Sequence, residues 1–326
     1  MNELDLNKTN EEAGKDVTIA ICTWNRSDSL ARTLHSLTMM HKPSGLNWEV
    51  LVVNNNSTDE TDEIIRSFEH ELPIKRIFES KPGLSNARNA AVAAARGNYI
   101  IWTDDDVVVD ERWMIAYLAA FDRYHDAALF GGPIRAVFDG DQPEWLNKGW
   151  RSVANAFCHN DLGNIPVTFS HKEPNRVPFG ANFAIRSIEQ KRSFYAAELG
   201  ASPTGNYMGE ETSLIRNVLR EGATGIWVPE ASVKHINSKD RMTLKYLQNY
   251  YEKDGQTRAF LSTPDYGYKL FGKPRWLWRQ FVQTKLEYLW ARAFCDPSEW
   301  LDKFAEHAIV CGIFKELSRN ERGSTK

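Results

Sequence analysis

The stretch Tyr99-Ile100-Ile101-Trp102-Thr103-Asp104-Asp105-Asp106 runs five strand-forming residues straight into three carboxylates. A short apolar run with no alternation is what a strand covered on both faces needs, as in a parallel sheet. Three adjacent carboxylates repel one another, and a cation is their natural compensation. An Asp-x-Asp at a strand end can present two carboxylates to a hard divalent ion that bridges phosphate oxygens. The plainer alternatives are a solvated acidic turn and the cap of a helix starting near Glu111.

Upstream of this run, short apolar segments alternate with helical patterns. Val17–Thr23 reads as a strand, Ser29–Met40 as a helix on Leu30, Leu34 and Leu37, and Val50–Val53 as a second strand. Ser57 is expected to be an N-cap, with Glu60 completing a capping box for a helix that buries Ile64, Ile65 and Phe68. Ile74–Phe78 follows as a strand, then an Ala-rich helix over Ser85–Arg96, with Gly97 as its C′ residue. This alternation predicts an α/β fold with a mostly parallel central sheet flanked by helices. Ligands of such sheets bind beyond the carboxyl ends of the strands. The polar runs Thr23-Trp24-Asn25-Arg26, Asn54-Asn55-Asn56-Ser57 and Asp104-Asp105-Asp106 should therefore converge on one crevice.

Downstream, Phe130–Thr204 is rich in Pro, Gly and Trp and reads as loops and short strands over the site. A helix is expected over Glu210–Glu221, closed by Gly222, then strands over Gly225–Val228 and Ser232–His235. From Thr243 the pattern is helical. The expected division is a disordered tail over 1–14, an α/β catalytic domain over 15–240 and a helical C-terminal region over 241–326.

The chain has 326 residues, enough for one large domain and an appendage. Its net charge of −3 points to no nucleic-acid partner. No apolar run is as long as a membrane span, and Met1–Lys15 is polar with no signal-peptide core, so a cytoplasmic location is expected. Cys22, Cys158, Cys295 and Cys311 form no Cys-x-x-Cys pair and read as reduced thiols. There is no Gly-x-x-x-x-Gly-Lys-Ser/Thr loop, and no Gly-x-Gly-x-x-Gly opens the first helix. That argues against P-loop enzymes and dinucleotide dehydrogenases, and leaves a diphosphate held by a metal on aspartates.

Several segments, in order, resemble family 2 of the glycosyltransferases, whose fold is called GT-A. They are Ile21-Cys22-Thr23-Trp24-Asn25-Arg26, Val52-Val53-Asn54-Asn55-Asn56-Ser57-Thr58-Asp59-Glu60-Thr61, Gly83-Leu84-Ser85-Asn86-Ala87-Arg88-Asn89, Asp104-Asp105-Asp106, Pro178-Phe179-Gly180-Ala181-Asn182-Phe183-Ala184, Gly209-Glu210-Glu211 and Val233-Lys234-His235. The resemblance runs from about Val17 to His235. Any one segment is weak; the ordered set is specific. Two positions depart from the family pattern: Asn54 stands where an aspartate is usual, and Glu211 stands where the catalytic aspartate is usual.

The resemblance implies an inverting, metal-dependent transferase using a nucleoside-diphosphate sugar, of UDP type, in bacterial polysaccharide or glycolipid assembly. Thr23, Asn25, Arg26, Asn54 and Asn56 would line the nucleoside pocket. Arg88, Asp104 and Asp105 would hold the nucleotide-sugar. Asp104, Asp106 and His235 would bind Mn²⁺ or Mg²⁺. Gly180 and Asn182 would lie on the acceptor side, and Glu211, or else Glu210, would be the general base. The acceptor would be a saccharide or a lipid-linked saccharide.

Residue by residue, plainer roles stay open. Glu210 and Glu211 suit a helix N-terminus through its dipole. His235 suits a hydrogen-bonded structural role, and Arg88-Asn89 an ordinary surface pair. Phe271–Phe294 interleaves Lys273, Arg275, Arg279, Lys285 and Arg292 with aromatic residues. That pattern suits peripheral contact with the inner face of the cytoplasmic membrane, or a helix packed on the catalytic domain. A nucleotidyltransferase and a catalytically inactive nucleotide-sugar-binding module are the alternative functions.

Overall fold

In the computed structural model, the structure describes residues 15–173, 176–202, 207–262, 269–270 and 273–323. The expected tail over 1–14 lies outside them. The elements in order are β1 (Lys15–Thr23), α1 (Ser27–Met39), β2 (Trp48–Asn54), α2 (Thr61–Ser67), β3 (Ile74–Phe78), α3 (Leu84–Ala94), β4 (Gly97–Thr103), β5 (Val107–Val109), α4 (Trp113–Arg123), β6 (Leu129–Gly131) and β7 (Ile134–Phe138). Then come α5 (Glu144–Lys148), α6 (Trp150–Val153), β8 (Thr168–Phe169), β9 (Asn182–Arg186), α7 (Ser187–Arg192), α8 (Glu210–Arg220), β10 (Gly225–Trp227), β11 (Val233–Asn237), α9 (Leu244–Leu261), α10 (Arg275–Phe294) and α11 (Pro297–Gly323).

The chain divides into two compact units interleaved in sequence, 1–135 with 161–197 and 210–234, and 136–160 with 198–209 and 235–326. The first is built on an eight-stranded sheet in the order β3-β2-β1-β4-β9-β6-β10-β8. β1, β2, β3 and β4 pair in parallel, as do β6 and β10. β9 runs antiparallel to both β4 and β6, and β8 to β10, so the sheet is a parallel half joined to a mixed half. All seven residues of β2 are buried, which explains its unbroken apolar run. The core beneath the sheet gathers Leu51, Val53, Trp102, Phe183, Ile185, Leu214 and Val218 with the alanines Ala87 and Ala91 of α3. Small residues on α3 let it lie close to the sheet, and burial of each large side chain contributes about 1.5–3 kcal/mol.

Two local expectations are corrected. Ser57 does not cap α2. The helix starts later, at Thr61, because the Asp59 carboxylate accepts both the Thr61 backbone N–H (3.2 Å) and its hydroxyl (2.5 Å). Nor is Gly97 a C′ residue. α3 ends at Ala94, and Gly97 opens β4, where a Cβ would press into the backbone of Val17 and Thr18. Gly222, by contrast, has φ +97 and follows α8 as expected.

The second unit packs α5, α6, α9, α10 and α11 around Leu146, Phe157, Leu247, Trp300 and Leu301. α10 turns Leu277, Thr284 and Ala291 inward, and a separate small cluster joins Leu277 to Val310 and Leu317 of α11. Among the described residues no helix is long and apolar enough to cross a membrane.

Gly97→Ala should lower stability by about 1–3 kcal/mol, since the added methyl overpacks the β1–β4 seam. Thermal denaturation followed by circular dichroism measures it. An unchanged midpoint would mean that the seam yields freely.

Candidate active site

The parallel half of the sheet aligns the strand ends. Thr23 of β1, Asn54 of β2 and Phe78 of β3 lie abreast in register. The loops that follow are tied to one another by side chains. The Asn25 backbone N–H donates to Ser57 Oγ (2.9 Å), and Asn25 Oδ1 accepts from the Thr58 N–H (2.7 Å). The Ser27 N–H donates to Asp59 Oδ2 at 3.0 Å. Asn25 and Asn56 both have positive φ, 52° and 68°, a conformation that asparagine tolerates better than most residues. Asn55, which sequence reasoning passed over, is the strut of this region. Its amide donates to the carbonyls of Glu79 (2.9 Å) and Lys81 (2.8 Å) and accepts from the Gly83 N–H (2.8 Å). The unusual Asn54 is buried, donates to Asp62 Oδ1 at 2.6 Å and accepts from the Ser57 N–H at 2.8 Å.

At the end of β4 the three aspartates divide. Asp105 and Asp106 are buried and share the Arg26 guanidinium, at 2.9 and 3.1 Å. Burial raises the Asp105 pKa; Arg26 opposes that rise and the Asp106 charge adds to it. Asp104 is more open, its side chain 34% exposed, and stands 3.6 Å from Arg88. The approach to β11 is fixed by two backbone bonds, Asp110 N–H to Ser232 O (3.1 Å) and Val233 N–H to Pro133 O (2.9 Å). Asp104, Asp106 and His235 can each offer one ligand atom to a metal ion. Two carboxylates and an imidazole make a donor set that suits Mn²⁺ and can also serve Mg²⁺.

Arg88 is the opposite of a surface residue. Only 3% exposed, its guanidinium lies 3.4 Å from Glu210, 3.7 Å from Glu211 and 3.6 Å from Asp104. It also sits over the rings of Tyr195 (5.3 Å) and Trp102 (5.7 Å). Tyr195 gave no signal in the sequence. The neighbouring Asn89 places it, donating to the Tyr195 carbonyl and accepting from its N–H, both at 2.9 Å. Glu210 is buried, whereas the Glu211 side chain is one-fifth exposed. Burial first, and the Glu210 charge second, raise the Glu211 pKa to about 7 despite Arg88. Gly180 leaves room here, since a Cβ would lie 2.7 Å from Arg88 Nη2 and 3.2 Å from Glu211 Cγ.

Asn182 is placed differently from its expected position on the acceptor side. Fully buried, it donates to the carbonyls of Pro133 (3.0 Å) and Ala231 (2.7 Å) and accepts from Trp113 Nε1 (2.9 Å) and the Tyr117 hydroxyl (2.8 Å). Both donors and both lone pairs of its amide are engaged, so the side chain braces the core and is not presented to a ligand. Asn182→Ala should therefore lower stability by about 3 kcal/mol or more by stranding several buried groups. Chemical denaturation checks this, and an unaltered midpoint would contradict the bracing role.

Comparisons with known proteins agree with this fold. The model of the family described as Glycosyl transferase family 2 matches residues 18–186. The succinoglycan biosynthesis protein ExoM of Rhizobium meliloti is 25% identical over 75% of this chain and 74% of its own length. Chondroitin synthase of Escherichia coli is 32% identical over 35% of this chain, a stretch covering 17% of that protein. Among solved structures, the mannosyltransferase PcManGT of Pyrobaculum calidifontis, in complex with GDP-Man and Mn²⁺, superposes with a TM-score of 0.61 at 15% identity, covering 94% of this chain and 88% of that one. S. aureus TarS 1–349 in complex with UDP gives 0.55 at 14% identity, covering 92% and 91%. These structures share the GT-A fold. The family match sets the nucleotidyltransferase alternative aside: the chain belongs to glycosyl transferase family 2.

Proposed function

We propose that this chain moves a sugar from a nucleoside diphosphate, of UDP type, to a hydroxyl of a saccharide or lipid-linked saccharide, in the assembly of a bacterial polysaccharide or glycolipid. The observation that carries the reading is Arg88, which stands between Asp104 at the cation-binding end and Glu211 at the end where a proton must be taken. Relatives active in succinoglycan biosynthesis and chondroitin synthesis support the polysaccharide setting. The complexes of fold neighbours with UDP, UDP-GlcNAc and GDP-Man support a nucleotide-sugar donor.

Asp104, Asp106 and His235 would hold Mn²⁺ or Mg²⁺, which, when bound, neutralises charge on the departing diphosphate. Thr23, Asn25, Arg26, Asn54 and Asn56 form the nucleoside side. Asp105 acts through Arg26, which it orients. Gly180 keeps the acceptor side open in front of Glu211. Glu211 takes the proton of the acceptor hydroxyl as that oxygen bonds to the anomeric carbon and the carbon–diphosphate bond breaks. A single displacement from the opposite face inverts the anomeric configuration. Glu210 is the weaker candidate for the base, because it is buried and faces Arg88.

With Mn²⁺ and a UDP- or GDP-sugar, the chain should release nucleoside diphosphate. Glu211→Gln should lower kcat by about 10²–10⁴ with donor affinity unchanged. Because its pKa is raised to about 7, Glu211 is protonated below that pH and cannot accept a proton, so kcat/KM should climb as pH passes upward through about 7. A wild-type chain that binds donor without turnover would instead be the inactive module, and a flat pH profile would remove Glu211 from the role of base.

The proposed site of peripheral membrane contact is α10; residues 271 and 272 of the expected segment lie outside the described residues. Val282, Leu286, Leu289, Trp290 and Phe294 share its outward face, each at least half exposed. Arg275, Arg279, Lys285 and Arg292 are exposed on the same helix. An apolar face with basic residues beside it complements an anionic bilayer. The chain should sediment with phosphatidylglycerol-rich vesicles and not with phosphatidylcholine vesicles, and Leu286→Glu with Trp290→Glu should abolish this. Failure of the wild-type chain to bind either vesicle would end the idea.

A further inference from the structure

A second cleft, of about 680 Å³, opens at the start of β4 and the end of β9, where Tyr99 and Arg186 are paired in register. Asp104 follows the other end of the same strand. β4 has seven residues, so the two places lie about 20 Å apart along it. The cleft is therefore separate from the donor side, and no step of the mechanism above uses it.

Four of its lining residues are cations, Arg96, Arg186, Lys191 and Arg192, and no carboxylate among the described residues lines it. Two of the four are held in place. Arg186 donates Nε and Nη2 to Glu189, at 2.9 and 2.7 Å, and Nη1 to the His125 carbonyl, at 3.1 Å. A guanidinium has five N–H donors, so two remain for a ligand. Lys191 donates to the Ala95 carbonyl at 2.9 Å and keeps two donors more. That partner is neutral and leaves the ammonium charge in place. Arg96 and Arg192 are exposed at the rim.

Helix capping explains only part of this charge. α3 and α7 both end here, and their dipoles together offset about one positive charge. Glu189, paired with Arg186, offsets another. An excess of about two positive charges remains, which matches a phosphate monoester, at about −1.5 to −2 near pH 7. The volume exceeds what phosphate alone fills and falls within the range of clefts that hold small organic ligands. Tyr99 and Ile188, the latter 53% exposed, line the same cleft and offer apolar surface to the C–H face of a sugar ring.

We propose that this cleft binds a sugar phosphate, at a site apart from the catalytic one. Arg186 and Lys191 donate to the phosphate oxygens from positions fixed before the ligand arrives, which lowers the ordering cost of binding. Arg96 and Arg192 add charge at the rim, and the sugar lies along Tyr99 and Ile188.

Calorimetric titration of the full chain with glucose 6-phosphate, inorganic phosphate and glucose tests it, with a chelator present so that the cation-binding carboxylates cannot hold phosphate through a metal. Glucose 6-phosphate should bind more tightly than inorganic phosphate, and glucose should not bind. Lys191→Gln with Arg192→Gln should weaken glucose 6-phosphate by about tenfold or more. Circular dichroism of that variant shows whether it is folded, and Arg192→Lys, which keeps the charge, should bind as the wild type does. No binding of glucose 6-phosphate at millimolar concentration, equal affinity for inorganic phosphate, or binding undiminished in the double variant would overturn the proposal.

Discussion

A guanidinium buried among carboxylates is the constraint around which the catalytic unit is arranged. Arg88 is nearly inaccessible, and a buried charge is tolerated only with close partners. Burial opposes its charge, but Glu210, Tyr195, Glu211 and Asp104 together outweigh that and hold it firmly protonated. These partners come from separate stretches: the end of β4, the start of α8 and the segment after α7. Fixing Arg88 therefore fixes three chain segments relative to one another. Removing the guanidinium would leave Glu210 buried and Glu211 without its nearby positive charge, so structure and reactivity at this point are one problem.

The consecutive glutamates divide the work because successive helix residues point about 100° apart. Glu210 turns inward and neutralises Arg88. Glu211 turns toward the space that Gly180 leaves and stays partly open. The extra methylene of Glu211 relative to aspartate lets the carboxylate reach out while its backbone stays at the helix start. A carboxylate beside a buried like charge and in a poorly hydrated spot holds a proton more strongly, which suits the proposed role of Glu211 as a base.

Much of this was legible in the sequence, and the exceptions share a cause. β1, β2 and β4 were readable because a strand covered on both faces is continuously apolar, and α8 because Leu214, Ile215, Val218 and Leu219 keep helical spacing. The convergence of strand-end polar runs follows from parallel pairing. Not legible were the tasks set by partners distant in sequence. Ser57 has the composition of a cap but is taken by Asn25, and Asp59 sets the helix start instead. Gly97 sits where a helix stop belongs but is there because β1 passes too closely for a side chain. Asn182 falls in a motif with a functional look, yet Trp113 and Tyr117 claim its amide. Tyr195 belongs to no motif and is placed only by Asn89.

The strand-end loops gain their order from one another more than from regular structure. The β1 loop holds the β2 loop through Asn25 and Ser27. The β2 loop holds the β3 loop through Asn55, and the β1 loop reaches the β4 end through Arg26. Such polar links are directional, so they fix where each donor and acceptor points, which apolar packing does not. Their cost includes left-handed backbone at Asn25 and Asn56, tolerated because the asparagine residues sit where the loop-to-loop bonds require the turn. With the loops set this way, the negative charges after β4 and the polar array after β2 keep a fixed separation before any ligand arrives. For the proposed nucleotide donor, such preorganisation would lower the ordering cost of binding.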